Sequence, residues 1–328
     1  MAVKETIPEF DIYTVGVSGG KDSTAALLWM WYESGIPREK IIGTFDDTQN
    51  EDPLTYAWLD LLRGLGIPII TIATEGFFEL AKRMKRFPRQ NVRFCTRELK
   101  VKPSRAYILA LLRDGKNPCS VSGSRKQEGR KGVNNRAELP EFDPLDLGWG
   151  CAVWRPLNAW KIEDVWKIHN KYILLEGVQS LVWNDPTMPF ERKAELVQRI
   201  ETNGIPRNPL YDMGSSRVGC FPCMNSRKLE VRAVDYWRPE RVAEIEAWEN
   251  DPSFAGIGSF LGSNVPVRMR SKFVTNPKKT KSYKIATIRD VVRWSWTGKR
   301  AETDSRQQIT MDIFDEPTSA CDIGGMCE

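Results

Sequence analysis

The sequence predicts an α/β fold, a parallel sheet flanked by helices and followed by a C-terminal extension. Three observations predict it. Short apolar strand candidates alternate with amphipathic helix candidates through the first half of the chain. A glycine-rich segment, Ser18-Gly-Gly-Lys-Asp-Ser, stands between the first strand candidate and the first helix candidate. Further polar loops follow the later strands, where open parallel sheets gather the loops that meet a ligand.

The elements follow in order. Phe10 to Val17, with Ile12, Val15 and Val17 apolar, reads as a short buried strand. Thr24-Ala-Ala-Leu-Leu-Trp-Met-Trp suits a helix packed on a sheet. Ile41-Ile-Gly-Thr-Phe is a second strand, Thr55-Tyr-Ala-Trp-Leu-Asp-Leu-Leu begins a second helix, and Ile67-Pro-Ile-Ile-Thr-Ile is a third strand. Ser104 to Arg113 reads as a helix offering Ala106, Leu109, Ala110 and Leu112 to the core. Pro118-Cys-Ser-Val-Ser leads into the Gly123–Glu128 loop. Residues 126–150 read as a loop, either an active-site loop or plain surface, and 176–207 as an insertion. Val231 to Glu249 is a helix candidate rich in Glu and Arg. The expected division is 1–225 and 226–328, the second part mixed helical and basic with a cysteine-containing tail.

The Ser18–Ser23 segment has the makings of an oxyanion site. Gly19 and Gly20 let the backbone turn and leave amides open, and the helix N-terminus adds unpaired N–H groups and a positive dipole end. Lys21 supplies a mobile charge, Ser18 and Ser23 supply hydroxyl donors, and Asp22 either organises the loop or touches metal. A Walker A loop is excluded, because too few residues separate Gly16 from Gly20 and Asp22 follows Lys21. Gly16-Val-Ser-Gly-Gly also fits a hydrolase nucleophile elbow, which needs a histidine base. His169 is the only histidine, and it reads as a helix-surface residue.

Ser18-Gly-Gly-Lys-Asp-Ser resembles the signature of the PP-loop ATP pyrophosphatases. Later segments resemble the branch that contains phosphoadenosine phosphosulfate (PAPS) reductases and DNA-phosphorothioation sulfurtransferases. Phe45-Asp-Asp-Thr-Gln is similar to the family's Asp-Thr-Gly strand end, with Gln49 for glycine. Phe94-Cys-Thr-Arg-Glu-Leu-Lys-Val-Lys-Pro is similar to its Cys-Cys segment, with Thr96 for the second cysteine. Gly123-Ser-Arg-Lys-Gln-Glu matches its Gly-x-Arg-x-x-Glu-Ser loop, with Gly129 for the serine. Arg155-Pro-Leu-Asn-Ala-Trp and Asp164-Val-Trp match the next strand and helix, and Asn208 to Cys223 matches most fully. The resemblance covers residues 12 to 225. It implies a Rossmann-like, adenine nucleotide alpha hydrolase-like sheet that binds ATP, or an adenylyl sulfate-type nucleotide, with Mg2+. The residues it assigns to the nucleotide are Ser18, Gly19, Gly20, Lys21, Asp22, Ser23, Asp47, Thr48, Gly123, Arg125 and Arg217, with Asp46 a further candidate for Mg2+ or a ribose hydroxyl.

Seven cysteines in a chain without an apolar leader argue against a disulfide framework. Cys220-Phe-Pro-Cys223 has the spacing of a metal site or a redox pair. In cluster-bearing relatives the equivalents of Cys95, Cys220 and Cys223 hold a 4Fe-4S iron–sulfur cluster, with Cys321, Cys327 or Cys151 available here as a fourth ligand. Zinc, a simple redox pair and buried thiols remain open. Cys327, near the end of a glycine-bearing tail, matches in place the reductases' nucleophile, although the local residues differ.

An intact loop favours true ATP cleavage, with Lys21 and Asp22 catalytic: an ATP-pyrophosphatase-type enzyme that adenylates a substrate and supports sulfur transfer, as in nucleic acid thiolation. The alternatives are a thiol-dependent PAPS reductase releasing sulfite, with Cys327 catalytic, and a nucleotide-binding regulatory module. A sulfur-donor protein is an implied partner. Residues 268–300 interleave basic residues with Tyr283, Trp294 and Trp296 around the lone acid Asp290, a candidate nucleic-acid surface or a solvated face over core tryptophans. The net charge of +5 permits such a partner without demanding it. No apolar run is long enough to span a membrane, and Met-Ala-Val-Lys-Glu-Thr has no apolar core, so a cytoplasmic location is expected.

Overall fold

Six strands form one sheet: β1 (Ile12–Gly16), β2 (Ile41–Asp47), β3 (Ile69–Ala73), β4 (Pro118–Val121), β5 (Phe142–Asp146) and β6 (Cys151–Trp154), in the order β3-β2-β1-β4-β6-β5. The computed structural model describes residues 8–89, 92–128, 138–254, 256, 258–262, 265–276 and 279–297. Tyr13, Thr14 and Val15 are buried in succession, as in a strand covered on both faces. Strands β3, β2, β1, β4 and β6 are parallel, and β5 is an antiparallel edge.

Helices α1 (Lys21–Tyr32), α2 (Pro53–Gly64) and α3 (Phe77–Arg83) lie in the β1–β4 half, with a short turn α4 (Phe94–Thr96) leading through a π-turn into α5 (Lys102–Arg113). Asp52 caps α2 by accepting from Leu54 N at 2.9 Å, and Pro53 occupies the first turn, where its missing N–H costs nothing. Helix α5 packs on β2, β3 and β4 but buries only Ile108 fully; Ala106 and Ala110 are exposed. The expected core set for this helix is corrected accordingly.

Beyond the sheet come α6 (Ile162–Tyr172), α7 (Leu175–Trp183) and α8 (Phe190–Asn203), with α6 packed on α1 and α7 on α2. The 176–207 insertion is thus largely a helical pair. The strand expected at Arg155–Trp160 lies earlier, at Cys151–Trp154, and Arg155 begins the turn after it. Residues 126–150, read as loop, contain β5. The single helix expected over Val231–Glu249 is two, α9 (Lys228–Trp237) and α10 (Pro239–Glu249), because Pro239 cannot donate to a continuing helix.

A hairpin of β7 (Lys272–Asn276) and β8 (Lys279–Ile285) and the helix α11 (Ile288–Ser295) complete the described fold. The C-terminal part joins the body through an aromatic cluster in which Phe78 stacks on Trp248 at 4.9 Å and Phe87 on Phe254 at 4.6 Å. Among the described residues no helix is long and apolar enough to cross a membrane.

Candidate functional site

The chain leaves β1 toward β2 and β3, then returns to place β4 on the other side of β1. Loops after β1 and β4 diverge at this switch point, and a crevice opens at the strand C-termini. A cleft of about 460 Å³ lies there, floored by the Ser18–Ser23 loop. Gly20 is the extended N-cap of α1, and no side chain caps the helix. Gly19 has φ +77°, and a Cβ there would approach Thr55 Cγ2 to 3.0 Å. Lys21 N donates to Tyr211 Oη at 2.9 Å and Ser18 N to Ser23 Oγ at 3.2 Å. The amides of Gly19, Gly20, Asp22 and Ser23 have no acceptor among the described residues. The open-amide expectation therefore applies to those four and not to Ser18 or Lys21.

The Lys21 ammonium is half-buried, 3.7 Å from Asp22 Oδ2 and 5.6 Å from the centre of the Tyr211 ring. Burial opposes its charge, but Tyr211, Asp22 and Glu128 outweigh that and hold its pKa above the ordinary lysine value. Arg125 is buried and is not part of the cleft wall. Its Nε donates to Asp22 Oδ1 at 2.5 Å and its Nη1 to Gln127 Oε1 at 2.7 Å. This places Arg125 as the support of Asp22. Gly123 lies against the loop so closely that a Cβ would stand 2.6 Å from the Asp22 carbonyl oxygen.

At the end of β2 the side chains alternate. Asp46 faces the cleft, accepting from Ser104 Oγ at 2.7 Å through Oδ2, while its buried Oδ1 has no partner among the described residues. Burial pushes its pKa up to about 6, against the Ser104 hydrogen bond and Lys100. Asp47 and Thr48 stand outside the cleft wall. Asp47 Oδ1 accepts from Tyr56 Oη at 2.7 Å, and Thr48 Oγ1 donates to Glu51 Oε1 at 2.7 Å. The cleft also gains Ser104, Tyr107, Ser122, Trp149 and Tyr211, which were not singled out from sequence.

The C-x-x-C loop is pinned beside the loop after β2: Phe221 N donates to Asn50 O at 2.6 Å. A smaller cavity of about 140 Å³ is lined by Lys100, Cys220 and Cys223 and shares Arg217 and Val218 with the main cleft. Arg217 Nη2 donates to Cys223 Sγ at 3.2 Å, whereas Cys220 Sγ lies 3.4 Å from Thr48 Oγ1. Burial pushes the Cys95 thiol up, and the neighbouring Cys220 and Cys223 add to it, which puts the three in one neighbourhood. The sulfurs of Cys220 and Cys223 turn to different partners, and among the described residues no three Cys, His, Asp or Glu side chains are arranged to hold a metal ion. Cys151 is buried on β6, and Cys321 and Cys327 lie outside the described residues.

His169, expected on the surface of a helix, is fully buried in α6. Its Nε2 lies 2.9 Å from the Lys21 carbonyl oxygen and its Nδ1 3.0 Å from that of Pro206. In the basic segment most described cations already have partners. Arg270 donates to Val265 O at 2.8 Å, Arg289 to Glu246 at 2.9 Å, and Arg293 to Asp290 at 2.8 Å. Trp294 and Trp296 are half-buried, under Lys228 and Arg232. Lys278, Lys299 and Arg300 lie outside the described residues.

No protein-family profile matches the chain. It is 26% identical over 372 aligned positions to an uncharacterized 37.8 kDa protein of Escherichia phage 186, covering 98% of both. It is 26% identical over 238 positions to an uncharacterized protein of Methanocaldococcus jannaschii, covering 72% of this chain and 40% of that protein. Among solved structures, NMN synthetase from Francisella tularensis aligns at a TM-score of 0.33 and 18% identity, over 50% of this chain and 62% of that one.

Proposed function

We propose that the chain is an enzyme of the ATP-pyrophosphatase type, which adenylates a substrate in the switch-point cleft, releases pyrophosphate and supports sulfur transfer to a nucleic acid. One observation carries the reading: an uncapped helix N-terminus with four acceptor-less amides, a held Lys21 ammonium and a cleft of nucleotide size. An acceptor oxygen attacks the α-phosphorus, the α–β bridging bond breaks, and pyrophosphate departs with the electron pair. Lys21 and the loop amides stabilise the charge that develops on the leaving phosphates. Asp46 Oδ1, buried without a donor, and Asp22 Oδ2 are the cleft carboxylate oxygens that fit the Mg2+ carried by the nucleotide.

The sulfur half of the reading is supported by the thiol-lined cavity that shares Arg217 with the cleft. The same contact favours a second reading, a thiol-dependent reductase of an activated sulfate, with Arg217 between the nucleotide and Cys223. Cys327, the nucleophile in that reading, lies outside the described residues. Pyrophosphate release is to be measured with ATP, nucleic acid and sulfide, beside sulfite release from PAPS. AMP and pyrophosphate in equal amounts are expected. Sulfite formation without ATP cleavage would install the reductase, and nucleotide binding without either product would leave a regulatory module.

A further inference from the structure

His169 poses a proton-counting problem. Both ring nitrogens lie within 3.0 Å of backbone carbonyl oxygens, which only accept. A neutral imidazole carries one N–H, so one of the two contacts would set lone pair against lone pair; the imidazolium carries two and satisfies both. The ring lies near-parallel to Trp58, with centroids 6.2 Å apart, and edge-on to Trp166 at 5.4 Å, and aromatic neighbours favour a cation. The carbonyls it meets are Lys21, the first residue of α1, and Pro206, which leads into the Asn208–Arg217 segment. The ring thus ties the nucleotide loop to the segment that supplies Tyr211 and Arg217.

We propose that His169 is a positioning residue which, as the imidazolium, clamps the first turn of α1 to the Pro206 segment and favours a bound polyphosphate. The charged and titratable groups around it come from two sides. From α1 come Lys21, which opposes the cation, and Asp22, which favours it. From the other segment come Arg207, 5.8 Å from the Trp166 ring, Asp212, which is paired to Arg207, and Tyr211, while α2 presents the uncharged Trp58. Burial pulls the imidazole pKa below its ordinary value, against its two carbonyl contacts, so protonation and the double contact are coupled on the acid side of the usual histidine range. A polyanion bound on the α1 amides favours the cation, so nucleotide binding should take up a proton.

The second half of this inference rests on the proposed nucleotide site; the clamp itself does not. Because His169 is the only histidine, ring-15N labelling of the full chain gives one unambiguous pair of nitrogen signals. In the nucleotide-free protein, titration from about pH 5 to 8 should show both nitrogens protonated at the acid end. A nonhydrolysable ATP analogue with Mg2+ should raise the midpoint by about one unit, and its affinity should fall about tenfold as pH rises through that range. His169→Gln should bind weakly with a flat pH profile, and calorimetry in two buffers should show that its proton uptake is lost. A ring nitrogen that stays unprotonated throughout overturns the clamp, even if the variant fails to fold. An unmoved midpoint with a bound analogue, or a wild-type pH profile in the variant, overturns the coupling. Failure of the analogue to bind removes the nucleotide reading, while the free-protein titration still decides the clamp.

Discussion

Lys21 acts at the one point where α1, the Tyr211 hydroxyl and the Asp22 carboxylate meet. Lys21→Ala should lower pyrophosphate release by about 10²-fold or more, because a preorganised charge at the leaving group disappears. Its stability should change by no more than about 1 kcal/mol, since a half-buried side chain at the start of α1 is lost without a large cavity. A variant that releases pyrophosphate at the wild-type rate would remove Lys21 from catalysis. Asp46 offers a test with a defined sign. Its folded-state pKa of about 6 lies above the ordinary 3.8, so the folded protein holds this proton more tightly than the unfolded chain. That contribution is complete below about pH 4 and is lost as pH rises through 6. Asp46→Asn should therefore gain about 1–2 kcal/mol over wild type near pH 8, after allowance for partial exposure, and little near pH 4. Thermal melts at the two pH values check this, and an equal shift at both would contradict the burial argument. The alternation that separates Asp46 from Asp47 is legible in the sequence as strand period once the strand is extended to Asp47, whereas Thr48 lies beyond the strand and its place is set by its contact with Glu51. The burial of His169 was legible too, four residues after Val165 on the same helical face.

Among elements, the closest approach is that of the Gly123 loop to the α1 entry. Gly123→Ala would press a methyl group against the Asp22 carbonyl oxygen, 2.6 Å from an ideal Cβ, and backbone must move to admit it. Nucleotide turnover should fall at least about tenfold, with a stability loss of about 1–3 kcal/mol. Unchanged kinetics would show that the two loops are less tightly coupled than their packing requires. Strands β1 to β3 were legible because each is rich in Ile, Val, Thr and aromatic residues, even though β3 is the parallel edge of the sheet and only part-buried. The edge strand β5 was not: Phe142-Asp-Pro-Leu-Asp has two apolar residues, and its proline is tolerated only at a sheet edge. The Arg155 turn reads as a strand in the sequence because the motif continues past the end of β6. The C-x-x-C spacing was plain, but which partner each sulfur turns to depends on loops more than a hundred residues apart, such as those of Thr48 and Cys220.

Across the molecule, one buried arginine joins three distant parts of the chain. Arg238, between α9 and α10, donates to both carboxylate oxygens of Asp52 at 2.8 and 3.0 Å, to Asp185, and to Thr187 Oγ1 at 3.2 Å. Arg238→Ala would strand two buried carboxylates and should cost about 3–5 kcal/mol in urea unfolding at neutral pH. A loss below 1 kcal/mol would show that water replaces the guanidinium. No periodicity announced this junction, because its members are single residues at the ends of elements. Arg241, three residues on, donates to the Phe221 carbonyl at 3.1 Å and to Asn50 Oδ1. The two arginines tie α9 and α10 to the α2 entry and to the C-x-x-C loop. A protein cut back to residue 225 would lose the brace under both the α2 entry and the thiol-bearing loop, so a minimal catalytic fragment must keep α9 and α10 even if neither helix ever touches substrate.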